Sequence, residues 1–198
     1  PLHAKLTKEF ESIRLSTEVV SVRKNGQFEC VTMVTMNKKI NESFDRILIS
    51  VGRRPNTEGI GLENTNVELD DKGFVKVDLK RQTSDPAIFA VGDVAGEPML
   101  AHKASEEGSA VADLIAGKSA HIDYACIPSV IYTSPEVASV GLTEQEAKNA
   151  GFEVKTSTFP FLANSRANCI GETEGIVKVI AEAKQKKLIG FHIIGPQA

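Results

Sequence analysis

The 198-residue chain has few cysteines and no close pair of them. Cys30, Cys126 and Cys169 stand far apart, and an odd number at wide spacing makes a poor disulfide framework. That points to a reducing compartment. The four histidines (His3, His102, His121 and His192) lack the spacing of metal ligands, which argues against a metal site. No basic block is present: 23 basic and 26 acidic residues are mixed along the chain for a net charge of -3. The chain therefore lacks the electrostatic footprint of a nucleic-acid binder. Its longest apolar runs, such as Ala87 to Val91, fall far short of the ~20 residues that cross a bilayer. There is no secretory signal pattern, and the first residue is a proline, which argues against a natural start. Glycine-rich nucleotide loops are missing as well. Gly59-Ile60-Gly61 comes nearest to G-x-G-x-x-G, but Asn64 occupies the third glycine position and no apolar strand precedes it. No P-loop, G-x-S-x-G or H-E-x-x-H occurs.

What is there is ordinary globular material. Hydrophobic residues make up 41% and charged residues 25%, enough apolar content to exclude a disordered chain. At ~150 residues per domain the length suggests one large or two small domains. Leu2, Leu6, Phe10 and Ile13 repeat at helical spacing and predict a helix over 2–13. Strands are expected over 18–24 and 27–36, joined by a turn at Asn25-Gly26, with a third over 40–44. Phe28, Cys30, Thr32, Val34 and Met36 would share one face. Ile47 to Val51 and Ala87 to Val91 are continuous apolar runs, as in strands buried on both faces. A short strand is expected over 73–78. A helix is expected over 101–116, with Ala101, Ala104, Gly108, Val111 and Ile115 as its inward stripe and Gly117 just past its end. Beyond a boundary near residue 122, strands over 127–132, 137–142, 153–159, 175–182 and 188–194 predict an α+β unit with an antiparallel sheet. Thr143 and Glu146 form a capping box for a helix that stops at Gly151.

The clearest ligand logic lies between Thr83 and Gly108. An apolar run ends in Gly92-Asp93, and a helix begins near Ala101. In open α/β sheets, ligands bind beyond the carboxyl ends of strands. Gly92 would allow close backbone approach, Asp93 would accept from a sugar hydroxyl, and the free N–H groups of the helix start would favour an electron-rich atom. The bland alternative is that Asp93 only turns the chain. Val51-Gly52-Arg53-Arg54-Pro55 has the same form: its arginines either reach a phosphate or acidic neighbour or sit in a solvated turn. His102 is a donor or a cap. Cys126 reads as a small buried hydrophobe, and Asn164-Ser165-Arg166 as a turn.

Taken together, these segments resemble a known family. Thr83-Ser84 with Ile88-Phe89-Ala90-Val91-Gly92-Asp93-Val94 resembles the second flavin-binding motif of the pyridine nucleotide–disulfide oxidoreductases, and 51–56 resembles the end of their nicotinamide-binding domain. Pro98 to Ala104, Glu106-Glu107-Gly108, Ile127 to Thr133, Pro135-Glu136-Val137 and Ala163 to Ala167 are similar to the dihydrolipoyl dehydrogenase branch. The resemblance runs nearly the whole length in collinear order. It implies α/β plus α+β architecture: residues 1–55 from the end of an NAD-binding domain, 56–122 from the returning part of an FAD-binding domain, and 123–198 from a dimerisation domain with an antiparallel sheet. It implies that Asp93 binds the ribityl or ribose-side hydroxyls of FAD and that Met99, Leu100, Ala101 and His102 line the flavin. Gly52 and Val19 would lie near NAD.

It further implies that no catalytic residue lies in this stretch. The family's redox disulfide and glycine motifs belong upstream and its His-Glu pair downstream, and Cys126 remains a buried structural residue. The implied enzyme oxidises protein-bound dihydrolipoyl groups with NAD+ and works as a homodimer. It serves the lipoyl-bearing component of 2-oxo acid dehydrogenase complexes, in the bacterial cytoplasm or the mitochondrial matrix. The stretch by itself is expected to be inactive. Alternatives are a related flavin disulfide reductase of the glutathione or mercuric type, or a stand-alone non-catalytic dimerisation module.

Overall fold

A computed structural model describes residues 1–36 and 38–198 and divides them into two compact units, Leu2–Gly52 and Arg53–Ala198, the latter with Pro1. The first unit opens with helix α1 (Leu2–Glu9) and continues as an antiparallel meander of β1 (Thr17–Asn25), β2 (Phe28–Thr35) and β3 (Lys38–Phe44). Asn25 pairs with Phe28, so the turn is made by Gly26 and Gln27, one residue later than predicted. Gly26 has a φ of +63° while Gln27 is not in the left-handed region. Positive φ at the first central position alone is the type II′ pattern, the other turn that matches strand twist. The buried residues of β2 are Val31 and Met33, on the face opposite the predicted row. Arg14 grips Glu42 through two guanidinium hydrogen bonds, with Nη1 to Oε2 at 2.7 Å, and pins the segment before β1 to β3.

In the second unit, residues 53–100 are stitched by turns rather than strands. Asp70 Oδ1 accepts from the N–H groups of Lys72 and Phe74, and Asp78 Oδ1 does the same for Lys80 and Gln82. Such aspartate-held turns substitute for ladder bonds. The predicted strands over 47–51, 73–78 and 87–91 do not form. Only isolated bridges, Leu69 with Val75 and Gln82 with Phe89, remain. The run at 47–51 meets no partner strand among the described residues, and Leu48 and Val51 are each 92% exposed. An apolar run becomes a strand only where a neighbour completes its hydrogen-bond ladder.

Helix α2 (Ala101–Ile115) follows and ends at Gly117 with a φ of +77°, as predicted. Its inward face is only partly the predicted stripe: Val111 is buried and Ala104 and Gly108 are half-buried. Lys103, Glu107, Ala110 and Val111 are buried, while Ala101 and Ile115 are exposed. Beyond it, a five-stranded antiparallel sheet has the order β4 (Ser129–Ile131), β5 (Glu136–Gly141), β8 (Leu188–Gly195), β7 (Ile176–Glu182), β6 (Val154–Pro160). Helix α3 (Glu144–Asn149) carries the predicted capping box in full: Thr143 Oγ1 accepts from Glu146 N, and the Glu146 carboxylate accepts from Thr143 N. Ala147 on α3 and Ile180 on β7 are both completely buried. The segment read as a turn at 164–166 is instead the start of a helix, α4 (Ser165–Ile170), capped by Asn164 Oδ1 on Ala167 N. Gly195 is a glycine because the Phe161 ring lies against it, 2.6 Å from where a Cβ would stand.

Candidate functional site

The chain turns sharply after Val91. Residues Gly92–Ala95 form a 3-10 turn, and the loop closes at Gly96. The Asp93 side chain is exposed, but the backbone around it is held on every side. Gly92 N donates to Glu107 Oε2 at 2.6 Å. Lys103 Nζ donates to the carbonyls of Gly92, at 3.3 Å, and Gly96, at 2.8 Å. Val75 N donates to the Val94 carbonyl at 2.9 Å. Gly92 has a φ of +76°, and a Cβ there would stand 2.9 Å from that of Ala104 on α2. Its small size thus serves the approach of the helix rather than, as expected from sequence, that of a ligand.

Lys103 and Glu107 are one helical turn apart, so both reach the same side of α2. Their side chains are 1% and 0% exposed. Glu107 Oε1 gathers three further donors: Lys103 Nζ at 3.5 Å, Arg81 Nη1 at 3.3 Å and the Tyr124 hydroxyl at 2.9 Å. The Arg81 guanidinium also lies over the Tyr124 ring, 5.0 Å from its centre. Burial, and then the hydrogen bond to Glu107, push the Tyr124 hydroxyl up to about 12. It therefore stays a donor at neutral pH. Nothing in composition or periodicity announces this cluster. Only the i, i+4 spacing of Lys103 and Glu107 hints that they act together.

Beside the loop, α2 starts without a side-chain cap; Leu100 stands at the cap position in extended conformation. The first N–H groups of the helix therefore carry partial positive charge toward their surroundings. His102 is exposed and is not a cap. Its Nε2 lies 2.6 Å from the Pro128 carbonyl, which can only accept, so that nitrogen donates. Met99 and Leu100 are partly buried. With Arg53, Glu97, Pro98 and Val130 they line an open hollow of about 630 Å³. Arg53 Nη1 reaches the Met99 carbonyl at 3.4 Å, a backbone oxygen and neither the phosphate nor the acidic neighbour that was one of the two alternatives in the sequence. Asp93, Met99, Leu100, Ala101 and His102 thus lie on one loop and the helix that follows it.

Gly52 and Val19 belong to the other unit. Gly52 has a φ of +123° and open space where a Cβ would point; Val19 sits on β1 opposite Met33, beside a bulge, and is 57% exposed. Cys126 is exposed, which corrects the expectation of a buried residue. Its thiol donates to Asp123 Oδ2 at 3.3 Å, and that bond, more than Asp123's charge, pushes the thiol up and away from the reactive thiolate. Among the described residues, no three His, Cys, Asp or Glu side chains gather as a metal site, and no helix is long and apolar enough to cross a membrane.

Residues 2–108 match the pyridine nucleotide-disulphide oxidoreductase family, and residues 127–198 match the dimerisation domain of the same proteins. A mitochondrial dihydrolipoyl dehydrogenase of Caenorhabditis elegans is 47% identical over 98% of this chain and 39% of its own length. A dihydrolipoyl dehydrogenase of Thermus scotoductus is 44% identical over 100% of this chain and 43% of its own. The crystal structure of LpdA from Mycobacterium tuberculosis superposes with a TM-score of 0.87 at 25% identity, covering 98% of this chain and 42% of that one. The chain spans about two fifths of the length of the curated relatives it matches. On the strength of both family matches, which leave little of the sequence uncovered, the chain belongs to the pyridine nucleotide–disulphide oxidoreductase family.

Proposed function

We propose that this chain supplies the flavin-facing and dimer-forming part of a dihydrolipoyl dehydrogenase. The observation that carries the reading is the Asp93 loop, held rigid by Glu107 and Lys103 beside a helix start that lacks a side-chain cap. An exposed carboxylate on a fixed loop suits the hydroxyls of a ribityl chain. Uncapped helical N–H groups suit the electron-rich pyrimidine edge of a flavin ring. The hollow of about 630 Å³ next to Met99 and Leu100 is within the range of cofactor pockets. The residues present therefore fit FAD.

When bound, FAD carries two electrons from a dithiol to NAD+, so that a dihydrolipoyl group and NAD+ become a lipoyl disulfide, NADH and a proton. The residues of this chain bind and orient. Asp93 accepts from the cofactor's hydroxyls. The α2 start polarises the ring edge, Met99, Leu100 and Ala101 line the ring and shield it from water, and His102 ties the helix start to Pro128. Gly52 and Val19 serve the NAD side. The three cysteines are free and distant in sequence, so this reading assigns the dithiol chemistry, and with it the proton-transfer base, to other parts of a longer polypeptide. The sheet over 129–195 serves a homodimer. The partner is the lipoyl-bearing component of a 2-oxo acid dehydrogenase complex, in the bacterial cytoplasm or the mitochondrial matrix. Domain limits at residues 55 and 122 belong to this same reading.

Steady-state turnover of the longer polypeptide tests the assignment. Dihydrolipoamide should reduce NAD+ with saturation and in proportion to flavin content. Reduction of glutathione disulfide or mercuric ion, with dihydrolipoamide inert, would move the chain to another branch of the family.

A further inference from the structure

Of Lys103, Glu107, Arg81 and the more exposed Tyr124, the proposed function so far uses only the hold of Glu107 and Lys103 on the loop. Burying two cations and a carboxylate costs free energy unless each finds partners. Here the partners are specific. Glu107 takes one oxygen to Gly92 N and the other to the Tyr124 hydroxyl. Lys103 takes the two carbonyls that bracket the turn, Gly92 and Gly96. One residue thus holds the N–H at the front of the loop, and the other holds the carbonyls at both ends. Asp93 lies between those ends and projects to solvent. Tyr124 sits in the 3-10 turn Tyr124–Cys126, directly before the five-stranded sheet. A hydrogen bond from there to Glu107 joins the start of the sheet to the loop, and His102 Nε2 donating to Pro128 makes a second tie nearby.

We propose that Glu107 and Lys103 are positioning residues that set the Asp93 carboxylate for the flavin, and that Tyr124 links this clamp to the dimerisation sheet. The inference rests on the reading of Asp93 as a flavin contact, and the two can be separated. An apolar filling of the same space would bury as much surface but leave Gly92 N and two carbonyls without partners. The clamp answers that need while leaving the Asp93 side chain outside.

The test is a double-mutant cycle on the apoprotein of the longer polypeptide, titrated with FAD and followed by flavin fluorescence and visible circular dichroism. Asp93→Ala should weaken FAD binding about 10- to 100-fold, the range for a hydrogen bond to a charged group. Glu107→Gln and Lys103→Met should each weaken it about 10-fold, with an altered dichroism of the bound flavin. Tyr124→Phe should show a smaller change of the same kind. In the Asp93→Ala background, Glu107→Gln should bring no further loss, because its effect passes through Asp93. Losses that multiply independently overturn the clamp, as does unchanged binding in folded Glu107→Gln and Lys103→Met. If Asp93→Ala itself binds FAD normally, the flavin reading of Asp93 falls and the clamp's role falls with it. Should Glu107→Gln fail to fold, the same cycle run with Tyr124→Phe separates the two outcomes in its place.

Discussion

Gly92 is held at a φ of +76°, with Ala104 of α2 occupying the space where its Cβ would stand. Any side chain there meets two penalties, left-handed backbone and contact with the helix. Gly92→Ala should therefore lower stability by at least the ~1–2 kcal/mol of the backbone term alone, and calorimetry should show it as a reduced melting temperature. Glu107 is the more sensitive position. Replacing it by alanine leaves Lys103 and Arg81 buried without their carboxylate, a loss of about 3–5 kcal/mol; the loss should be read in denaturant titrations as a lower midpoint. The sequence singled out Asp93 and His102 correctly as neighbours on one loop and helix start. It missed Glu107 and Lys103 as the groups behind them, because hydrophobic periodicity places charged residues outside. The stripe at Ala101, Ala104 and Gly108 looked inward for that reason, yet the burial runs through Lys103 and Glu107. Cys126 failed the other way: apolar by type, it is exposed, with its thiol donating to the exposed Asp123.

At the scale of elements, local chemistry was the reliable guide. The capping box at Thr143 and the glycine after α2 form as read, since each depends on residues a few positions apart. Thr143→Ala should cost about 1 kcal/mol through loss of the cap, seen as a lower melting temperature. Glu144 adds a pH dependence. The hydrogen bonds from Lys148 and Lys178, each at 2.6 Å, hold its carboxyl down from 4.5 to about 2. A lowered folded-state value means that the contribution is present above pH 4.5 and drains away as pH falls toward 2. The melting difference between the unsubstituted chain and Glu144→Gln should shrink across that window. It should also shrink in high salt, because the site is exposed and screened. A difference that persists unchanged at about pH 2 in high salt would show that packing, not charge, ties α3 to β7. The strand expected over 47–51 does not form for a physical reason. Apolar content marks a segment for burial, but a strand also needs neighbours to complete its ladder, and the described residues near Leu48 provide none.

At the scale of the whole molecule, the matched relatives are more than twice as long as this chain, and the proposed labour is divided accordingly. Under the proposed reading, the loop, helix start and sheet would bind and orient, while cofactor phosphates, dithiol and catalytic base would be held elsewhere in the polypeptide. Length and composition suggested one large or two small domains, and the chain divides into two compact units, Leu2–Gly52 and Arg53–Ala198 with Pro1. The five-stranded sheet completes its own ladder from β4 to β6, and a protease-resistant core confined to 123–198 that ran as a dimer in light scattering would favour the stand-alone dimerisation module instead. The most direct measurement is the visible absorption spectrum of the purified 198-residue chain, taken beside that of the longer polypeptide after both have been offered FAD. A division of labour of this kind predicts a colourless chain without dihydrolipoamide turnover next to a yellow, active polypeptide. Stoichiometric flavin on the 198 residues alone would contradict it.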